Sequence, residues 1–179
     1  MDCENCPFNK GTKVEGEGPD ECDLVVVAMA PADEEVQQGR VLVGPSGKML
    51  RGVFSQMGIT EAYLCNVLLC PISTDSDSDV TQAVKCCRPV IDEVLARKPK
   101  LTVALGNLPL SILTDTGYGI KECEGRIMPS KVGPLLPLAH PASYLRNPDN
   151  AFDFVECSRS GLKFLNGTYQ QAGEPMAVR

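Results

Sequence analysis

The stretch DLVVVAMAPADEEVQQGRVLVGPSGKML, residues 23–50, contains the features that decide the fold. It begins with a short apolar run rich in valine, residues 23–30, which predicts a buried strand. The acidic segment PADEEVQQGR predicts a loop. Apolar residues then recur at helical spacing behind Ser46, a candidate N-cap. The order is therefore strand, long loop and helix, which is how an α/β unit begins.

The same alternation continues along the chain. AYLCNVLLC (62–70) and LTVALG (101–106) predict two more buried strands, and LLPLAHP (135–141) ends a fourth strand region. Helical patterns lie at 80–99 and 107–116, and residues 150–167 predict a final helix. Apolar strands alternating with helices imply a largely parallel sheet covered on both faces. We therefore expect an α/β fold, a three-layer α/β/α sandwich around a central, mostly parallel four-stranded sheet.

Length and composition limit the organisation of the chain. With 179 residues, 43% of them hydrophobic, the chain suits one well-buried domain. We expect this domain over residues 1–168 and a flexible tail over 169–179, in a monomeric protein. No apolar run approaches the roughly 20 residues of a membrane span, and MDCENCPFNKG resembles no signal peptide. The expectation is a cytoplasmic protein without a membrane partner.

The charge is unevenly distributed. The formal net charge is −6, but residues 1–35 contain ten acidic and two basic residues, which leaves 13 acidic and 15 basic residues for the rest of the chain. A modest basic face for nucleic acid is therefore compatible with the acidic total.

Nine cysteines are many for such a chain, and an odd number in a cytosolic protein favours metal binding over disulfides. Cys3 and Cys6 form a C-x2-C pair, while Cys70 and the adjacent Cys86 and Cys87 lie far downstream. Four thiolates from two distant parts of the chain would fasten the N-terminus to the domain. Zinc knuckles usually have a second C-x2-C or a histidine pair, so this spacing favours a [4Fe–4S] cluster over zinc. The remaining cysteines are expected to be small buried side chains.

Two uncharged polar residues stand at predicted strand ends. His140 is the single histidine, and a lone histidine is more often a satisfied residue at a strand end than a catalytic group. Asn66 follows a buried run, where an unpaired carboxamide would cost on the order of 1 to 3 kcal/mol. Asp33 and Glu34 are interpreted as solvated charges of the acidic loop.

Several motifs occur together in one order: APADEEVQQGRVLVGPSGKML, CNVLLC, CRP at 87–89, VALGN and HPASYLR. In this combination the chain resembles the family-four uracil-DNA glycosylases, the iron–sulfur branch of the uracil-DNA glycosylase superfamily. The resemblance extends over about residues 3–165. In the first motif, the positions that match are Pro31, Glu35, Gly39, Arg40 and Gly44.

The resemblance implies a role for each candidate residue. Cys3, Cys6, Cys70 and Cys87 would be the cluster ligands, and the cluster would be structural. Asn66 would bind the edge of a flipped pyrimidine, His140 would stabilise the departing base, and Glu35 would order the loop or the attacking water. The base pocket would be formed by Met29, Ala30, Leu42 and Asn66. On DNA, Tyr144 or Leu145 would act as a wedge, while Arg146 and Ser46 of GPSG would lie near phosphates.

Two departures from the family pattern bear on the substrate. Ala28 and Met29 replace a glycine–glutamate pair, and Leu42 replaces a phenylalanine that stacks on the flipped base. The main hypothesis is a monofunctional DNA glycosylase with uracil as its default base. One alternative is a glycosylase for a bulky modified pyrimidine, hydroxymethylated or glucosylated cytosine in phage DNA, with a defence role. The other is a non-catalytic iron–sulfur protein that binds DNA or associates with a polymerase.

Overall fold

A five-stranded sheet crosses the middle of the protein. The computed structural model describes residues 1–9, 11–73, 76–146 and 151–167, and for residues 151 and 152 only the backbone. The strand order is β2-β1-β3-β5-β4. The strands are β1 Leu24–Ala28, β2 Tyr63–Asn66, β3 Leu101–Leu105, β4 Met128–Ser130 and β5 Gly133–Leu138.

Four of the strands are parallel. β1 pairs with β2 and β3, and β3 pairs with β5, all in parallel, whereas β4 is antiparallel to β5. The predicted three-layer, mostly parallel α/β fold is confirmed, but the expected number of four strands was one too low. The additional β4 is three residues long and pairs Pro129 with Pro134. Because proline cannot donate to a sheet ladder, such a strand has a weak sequence signal.

Eight α-helices lie in the described part of the chain. They are α1 Asp33–Gln38, α2 Pro45–Gln56, α3 Asp77–Cys86, α4 Arg88–Arg97, α5 Asn107–Leu113, α6 Ile120–Cys123, α7 Pro141–Leu145 and α8 Ala151–Leu162, followed by a 3-10 turn Lys163–Asn166.

The two faces of the sheet build two hydrophobic cores. β1 is buried throughout. Its Val25 and Val27 pack on one side with residues of α3 to α6, while Leu24, Val26 and Ala28 pack on the other side with α2, α7 and α8. Side chains alternate along an extended strand, so a run that is apolar at every position fills both cores.

Three local predictions were wrong. The acidic segment predicted as a loop contains α1, since Glu35 closes its first turn by accepting the N–H of Ala32 at 3.1 Å. Ser46 is not an N-cap, because α2 begins at Pro45 with Gly44 in the cap position. The helical pattern 80–99 is two helices, α3 and α4, joined at Cys87. Pro89 explains the break, since it lacks the N–H needed to continue a helix.

No helix in the described ranges is long and apolar enough to cross a membrane. The predicted tail, residues 169–179, lies outside the described residues.

Candidate functional site

A cavity of about 240 Å³ opens at the carboxyl ends of the parallel strands. It lies where β1 and β2 end and where the chain leaves β5, the edge at which α/β proteins usually bind ligands. The residues that line it are Ala28, Ala30, Ala32, Asp33, Glu34, Glu35, Leu42, Gly44, Pro45, Ser46, Asn66 and His140. A cavity of about 150 Å³ can hold benzene, so the space suits a six-membered ring.

Most residues predicted for a base pocket lie around this cavity. Ala30, Leu42 and Asn66 line it, but Met29 is not among the described residues that do. Its carbonyl accepts the N–H of Leu68 at 2.9 Å, and the backbone bends at Met29, directly after β1. The cavity receives Ala28, Ala30 and Ala32 instead. The period of two in the sequence was the signal that would have identified these alanines.

The carboxylate of Glu35 holds the loop that covers the cavity. Its Oε1 accepts the backbone N–H groups of Val43 at 3.1 Å and Gly44 at 2.8 Å, and its Oε2 accepts that of Ala32. Glu35 is 7% exposed, and three backbone donors compensate its burial. This arrangement is that of a residue that orders the loop. Oε2 accepts one bond only, which leaves capacity for a water molecule.

Leu42 lines the cavity in an unusual backbone conformation, with φ at 51°. This left-handed conformation costs a leucine roughly 1 to 2 kcal/mol, and such residues concentrate at functional sites. The side chain of Arg51 fixes the loop by donating to the carbonyls of Leu42 and Val41 at 3.3 Å. Glu17 in turn binds both Arg51 and Arg40. Sequence reasoning gave no role to Glu17 or Arg51, because each contact joins distant segments.

Gly47 permits the close approach between this loop and α2. A Cβ atom on Gly47 would overlap the backbone carbonyl of Leu42. The second glycine of GPSG is therefore explained by packing against the loop, and no phosphate is needed to account for it.

Asn66 ends β2 with its side chain at the cavity. The residue is 2% exposed, and its carboxamide makes no hydrogen bond to any residue in the described ranges. Asn66 is not among the residues whose polar side-chain atoms are both fully buried and unpartnered, so its carboxamide faces the open space of the cavity. Because the amide offers both a donor and an acceptor, it is available to a ligand in the cavity.

His140 lies between β5 and α7 with its imidazole in the cavity wall. Its Nδ1 accepts the N–H of Ala142 at 3.2 Å, so Nδ1 carries no proton and the proton of the neutral ring is on Nε2. Burial lowers the pKa of His140 below 6.5, and Arg146 acts in the same direction, while Glu35 opposes them. At neutral pH the ring is an uncharged Nε2–H donor.

The segment after His140 divides between core and surface. Tyr144, expected as a wedge, is 8% exposed, donates to Oε1 of Glu124 at 2.6 Å and packs on Phe154 at 5.4 Å between ring centroids. This corrects the prediction, because a ring held in the core cannot enter a duplex. Leu145 is 45% exposed and Arg146 is also exposed. Ser46 lies at the cavity, on the first turn of α2.

The cysteines expected as ligands gather around a second, smaller cavity. Cys3, Cys6, Cys70 and Cys87 line it together with Cys86, and all five are free thiols. The wall also contains apolar residues, among them Phe8 and Leu68, and the polar Asn9 and Lys13. Among the described residues, no three histidine, cysteine or acidic side chains are close enough to hold one metal ion. The remaining cysteines, Cys22, Cys65, Cys123 and Cys157, lie elsewhere and are buried or half-buried.

The comparison with protein families agrees with this arrangement. The model of the uracil DNA glycosylase superfamily matches residues 15–160. The chain belongs to this superfamily. A type-4 uracil-DNA glycosylase of Thermotoga maritima is 29% identical to this superfamily member over 172 residues, 90% of either chain. A type-4 uracil-DNA glycosylase of Pyrobaculum aerophilum is 28% identical, over 82% of this chain and 81% of the relative.

A different kind of protein also matches. A DNA polymerase of Bacillus phage SP01 is 21% identical over 146 residues, which is 80% of this superfamily member and 16% of the polymerase. The similarity is therefore confined to a small part of that polymerase.

Proposed function

We propose that the protein is a DNA glycosylase that hydrolyses the bond between deoxyribose and a flipped-out uracil. The observation that carries this proposal is the pairing of two unusual polar groups at one cavity. These are the unpartnered carboxamide of Asn66 and the Nε2–H of a neutral His140. The type-4 uracil-DNA glycosylases among the relatives support uracil as the base.

Asn66 is the proposed base-reading residue. Its amide can donate to the O4 of uracil and accept from N3–H, which satisfies two groups that the protein leaves unpaired. A flipped base enters such a pocket only after the unstacking energy, a few kcal/mol, has been offset. The contacts of the base within the cavity and its two hydrogen bonds to the Asn66 amide help to offset the unstacking energy.

His140 is the proposed stabiliser of the leaving base. When the bond between C1′ and N1 breaks, its electron pair leaves with the base and negative charge builds on O2. A preorganised Nε2–H directed at O2 stabilises that charge, and one such donor is typically worth about 3 kcal/mol. Water then bonds to C1′ and gives its proton to the base or to solvent. Glu35 holds the loop over the site and has capacity for one bond to this water.

Hydrolysis rather than strand cleavage is the expected outcome. A glycosylase that also cleaves the strand uses an amine nucleophile, and the described residues that line the cavity include no lysine. The proposal is therefore a monofunctional enzyme that leaves an abasic site.

DNA contacts are proposed for the surface around the cavity. Leu145, which is exposed, would enter the duplex as the wedge. Arg146 and Ser46 would contact phosphates, which position the protein without reading sequence. The protein is proposed to act as a monomer in the cytoplasm.

A [4Fe–4S] cluster is proposed for the cavity lined by Cys3, Cys6, Cys70 and Cys87. Four free thiols in a mostly apolar wall fit its donor set. When bound, it would fasten the N-terminal segment onto the junction between α3 and α4. Cys86 and Cys87 both reach the cavity, and the CRP motif favours Cys87.

One experiment tests the activity and the base together. Oligonucleotides carrying uracil, thymine, hydroxymethylcytosine or glucosylated cytosine, single-stranded and paired, are incubated with the protein, and abasic sites are scored after alkali. We expect breaks at uracil that need alkali and that are lost in His140→Ala. The control is Glu156→Ala, since Glu156 lies on α8 and binds Arg159. Excision of a modified cytosine and not of uracil would show that the modified cytosine is the substrate. Binding without abasic sites for any base would contradict an enzymatic role.

A further inference from the structure

The segment that carries His140 is held on both sides by one acidic side chain, that of Glu124. Oε1 of Glu124 accepts the backbone N–H of Ala139 at 2.7 Å and the hydroxyl of Tyr144 at 2.6 Å. Ala139 precedes His140 directly, and Tyr144 follows it on the next turn. A single carboxylate oxygen thus fixes the chain before and after the imidazole.

Both hydrogen bonds are short and have a charged acceptor, the stronger class of hydrogen bond. Burial raises the pKa of Tyr144, and its bond to Glu124 adds to the effect. The hydroxyl therefore keeps its proton and remains a donor. The ring of Tyr144 also packs on Phe154 of α8, which connects the segment to the core.

Glu124 is itself well placed to act as an anchor. It follows α6, and its N–H donates to the carbonyl of Ile120 at 2.8 Å. The next residue, Gly125, has φ at 74° and donates to the carbonyl of Pro137 in β5 at 2.9 Å. The carboxylate is thus attached through its backbone to the strand that leads into His140.

The local bonds of His140 complete the arrangement. Its carbonyl accepts both the N–H and the hydroxyl of Ser143, at 2.9 and 2.7 Å. These bonds shape the turn, but they do not fix its position relative to the sheet. Of the contacts described above, those of Glu124 supply that position together with the packing of Tyr144 on Phe154.

We infer that Glu124 is a positioning residue for His140, which it holds at the cavity through Ala139 and Tyr144. This inference rests on the proposed function. It predicts that Glu124 contributes to the chemical step although it does not touch the base. Small displacements of a catalytic group can lower a rate by about a hundredfold.

The first test is spectroscopic and independent of activity. His140 is the single histidine, so the imidazole ¹⁵N signals of the protein arise from one residue. In the wild type they should show the proton on Nε2. In Glu124→Ala they should shift and broaden, because the ring is no longer held in one place at the cavity wall, while in the control Glu156→Ala they should not. Unchanged imidazole signals in Glu124→Ala would overturn the inference.

The second test is kinetic. Glu124→Ala should lower kcat for uracil excision by about tenfold to a hundredfold with little change in KM. Glu124→Gln should recover part of the loss, because its amide oxygen can still accept both bonds. In a His140→Ala background, Glu124→Ala should have little further effect, since it acts through the histidine. An equal loss in both backgrounds would show a general structural role and overturn the inference.

A second variant and the spectra distinguish failure of this inference from failure of the proposed function. If Glu124→Ala does not fold, Tyr144→Phe removes one of the two bonds and should shift the same signals to a smaller extent. If the wild type excises no base, the proposed function fails, but the imidazole spectra still decide whether Glu124 positions His140.

Discussion

The imidazole of His140 caps the helix that begins one residue later, because its Nδ1 accepts the N–H of Ala142 at 3.2 Å. The same bond fixes the tautomer and leaves Nε2–H as the donor at the cavity. Nδ1 therefore caps the helix, and Nε2–H of the same ring is the proposed catalytic donor. Substitutions of His140 can separate the effect on stability from the effect on activity.

Replacing His140 should affect stability and activity differently. His140→Ala removes the cap and the donor, and should cost about 0.5 to 2 kcal/mol of unfolding free energy. It should also lower the excision rate about a hundredfold to a thousandfold. His140→Asn keeps an oxygen that can cap α7, so it should recover stability and not the rate. Denaturant unfolding and abasic-site formation measure the two effects. A fully active His140→Asn would argue against the imidazole as the donor.

The pH dependence follows from the lowered pKa of His140. Burial is the main cause and keeps the folded ring neutral below 6.5, where the ring in the unfolded chain is already protonated. In that range the unfolded state binds more protons than the folded state. The contribution of neutral His140 to the free energy of unfolding is therefore complete above the pKa of His140 in the unfolded chain. It is lost as pH falls through the pKa of His140 in the folded protein. NMR titration of the single imidazole should give a midpoint below 6.5. His140→Asn should lose less stability than the wild type over the same pH range. A midpoint above 6.5 would contradict the burial argument.

Asn66→Ala should reduce activity at little cost in stability. The carboxamide has no partner among the described residues, so its removal leaves no protein group newly unpaired. Loss of two bonds to the base should slow excision about tenfold to a hundredfold. Asn107→Ala is the matched control. Its Oδ1 accepts the N–H of Ile120 at 2.9 Å, so that variant should lose stability and keep its rate. Melting curves and excision rates compare the two, and the reverse pattern would exclude base reading by Asn66.

Two glycines of α2 form a second matched pair. In Gly47→Ala the new methyl group would overlap the carbonyl of Leu42, whereas a methyl group at Gly52 meets nothing within 4 Å. Gly47→Ala should destabilise the protein by about 1 to 3 kcal/mol and slow excision by displacing the loop. Gly52→Ala should stabilise the helix by about 0.5 to 1 kcal/mol. Thermal unfolding and excision assays test both, and equal effects would show that the close contact is unimportant.

The cluster proposal predicts the colour of the purified protein. With the cluster bound, the protein should be brown, with broad absorbance in the visible range and with iron and sulfide in similar amounts. Cys87→Ser should lose the colour and much of the stability, whereas Cys86→Ser and the control Cys22→Ser should keep both. A colourless protein that contains zinc would refute the proposal, and a loss confined to Cys86→Ser would identify Cys86 as the ligand.

Much of the fold was predictable because it depends on short-range patterns. The valine run of β1, the apolar runs that contain β2 and β3, and the helical spacing behind Ser46 each specify an element through local burial and propensity. β4 was missed because it is three residues long and its Pro129 weakens the strand signal. α1 was missed because the charges of Asp33 and Glu34 suggested a solvated loop, whereas Glu35 closes the first turn of a helix.

The sequence by itself determined the alternation of strands and helices, the superfamily, and the residue types available at the carboxyl edge of the sheet. Only the tertiary structure decided which of them meet. It brought Ala28 to the cavity in place of Met29, buried Tyr144, fixed Leu42 at positive φ, and joined Glu124 to the segment around His140. The physical reason is that these contacts are hydrogen bonds and packing between segments distant along the chain. Their partners are set by the path of the whole fold, which local patterns do not encode.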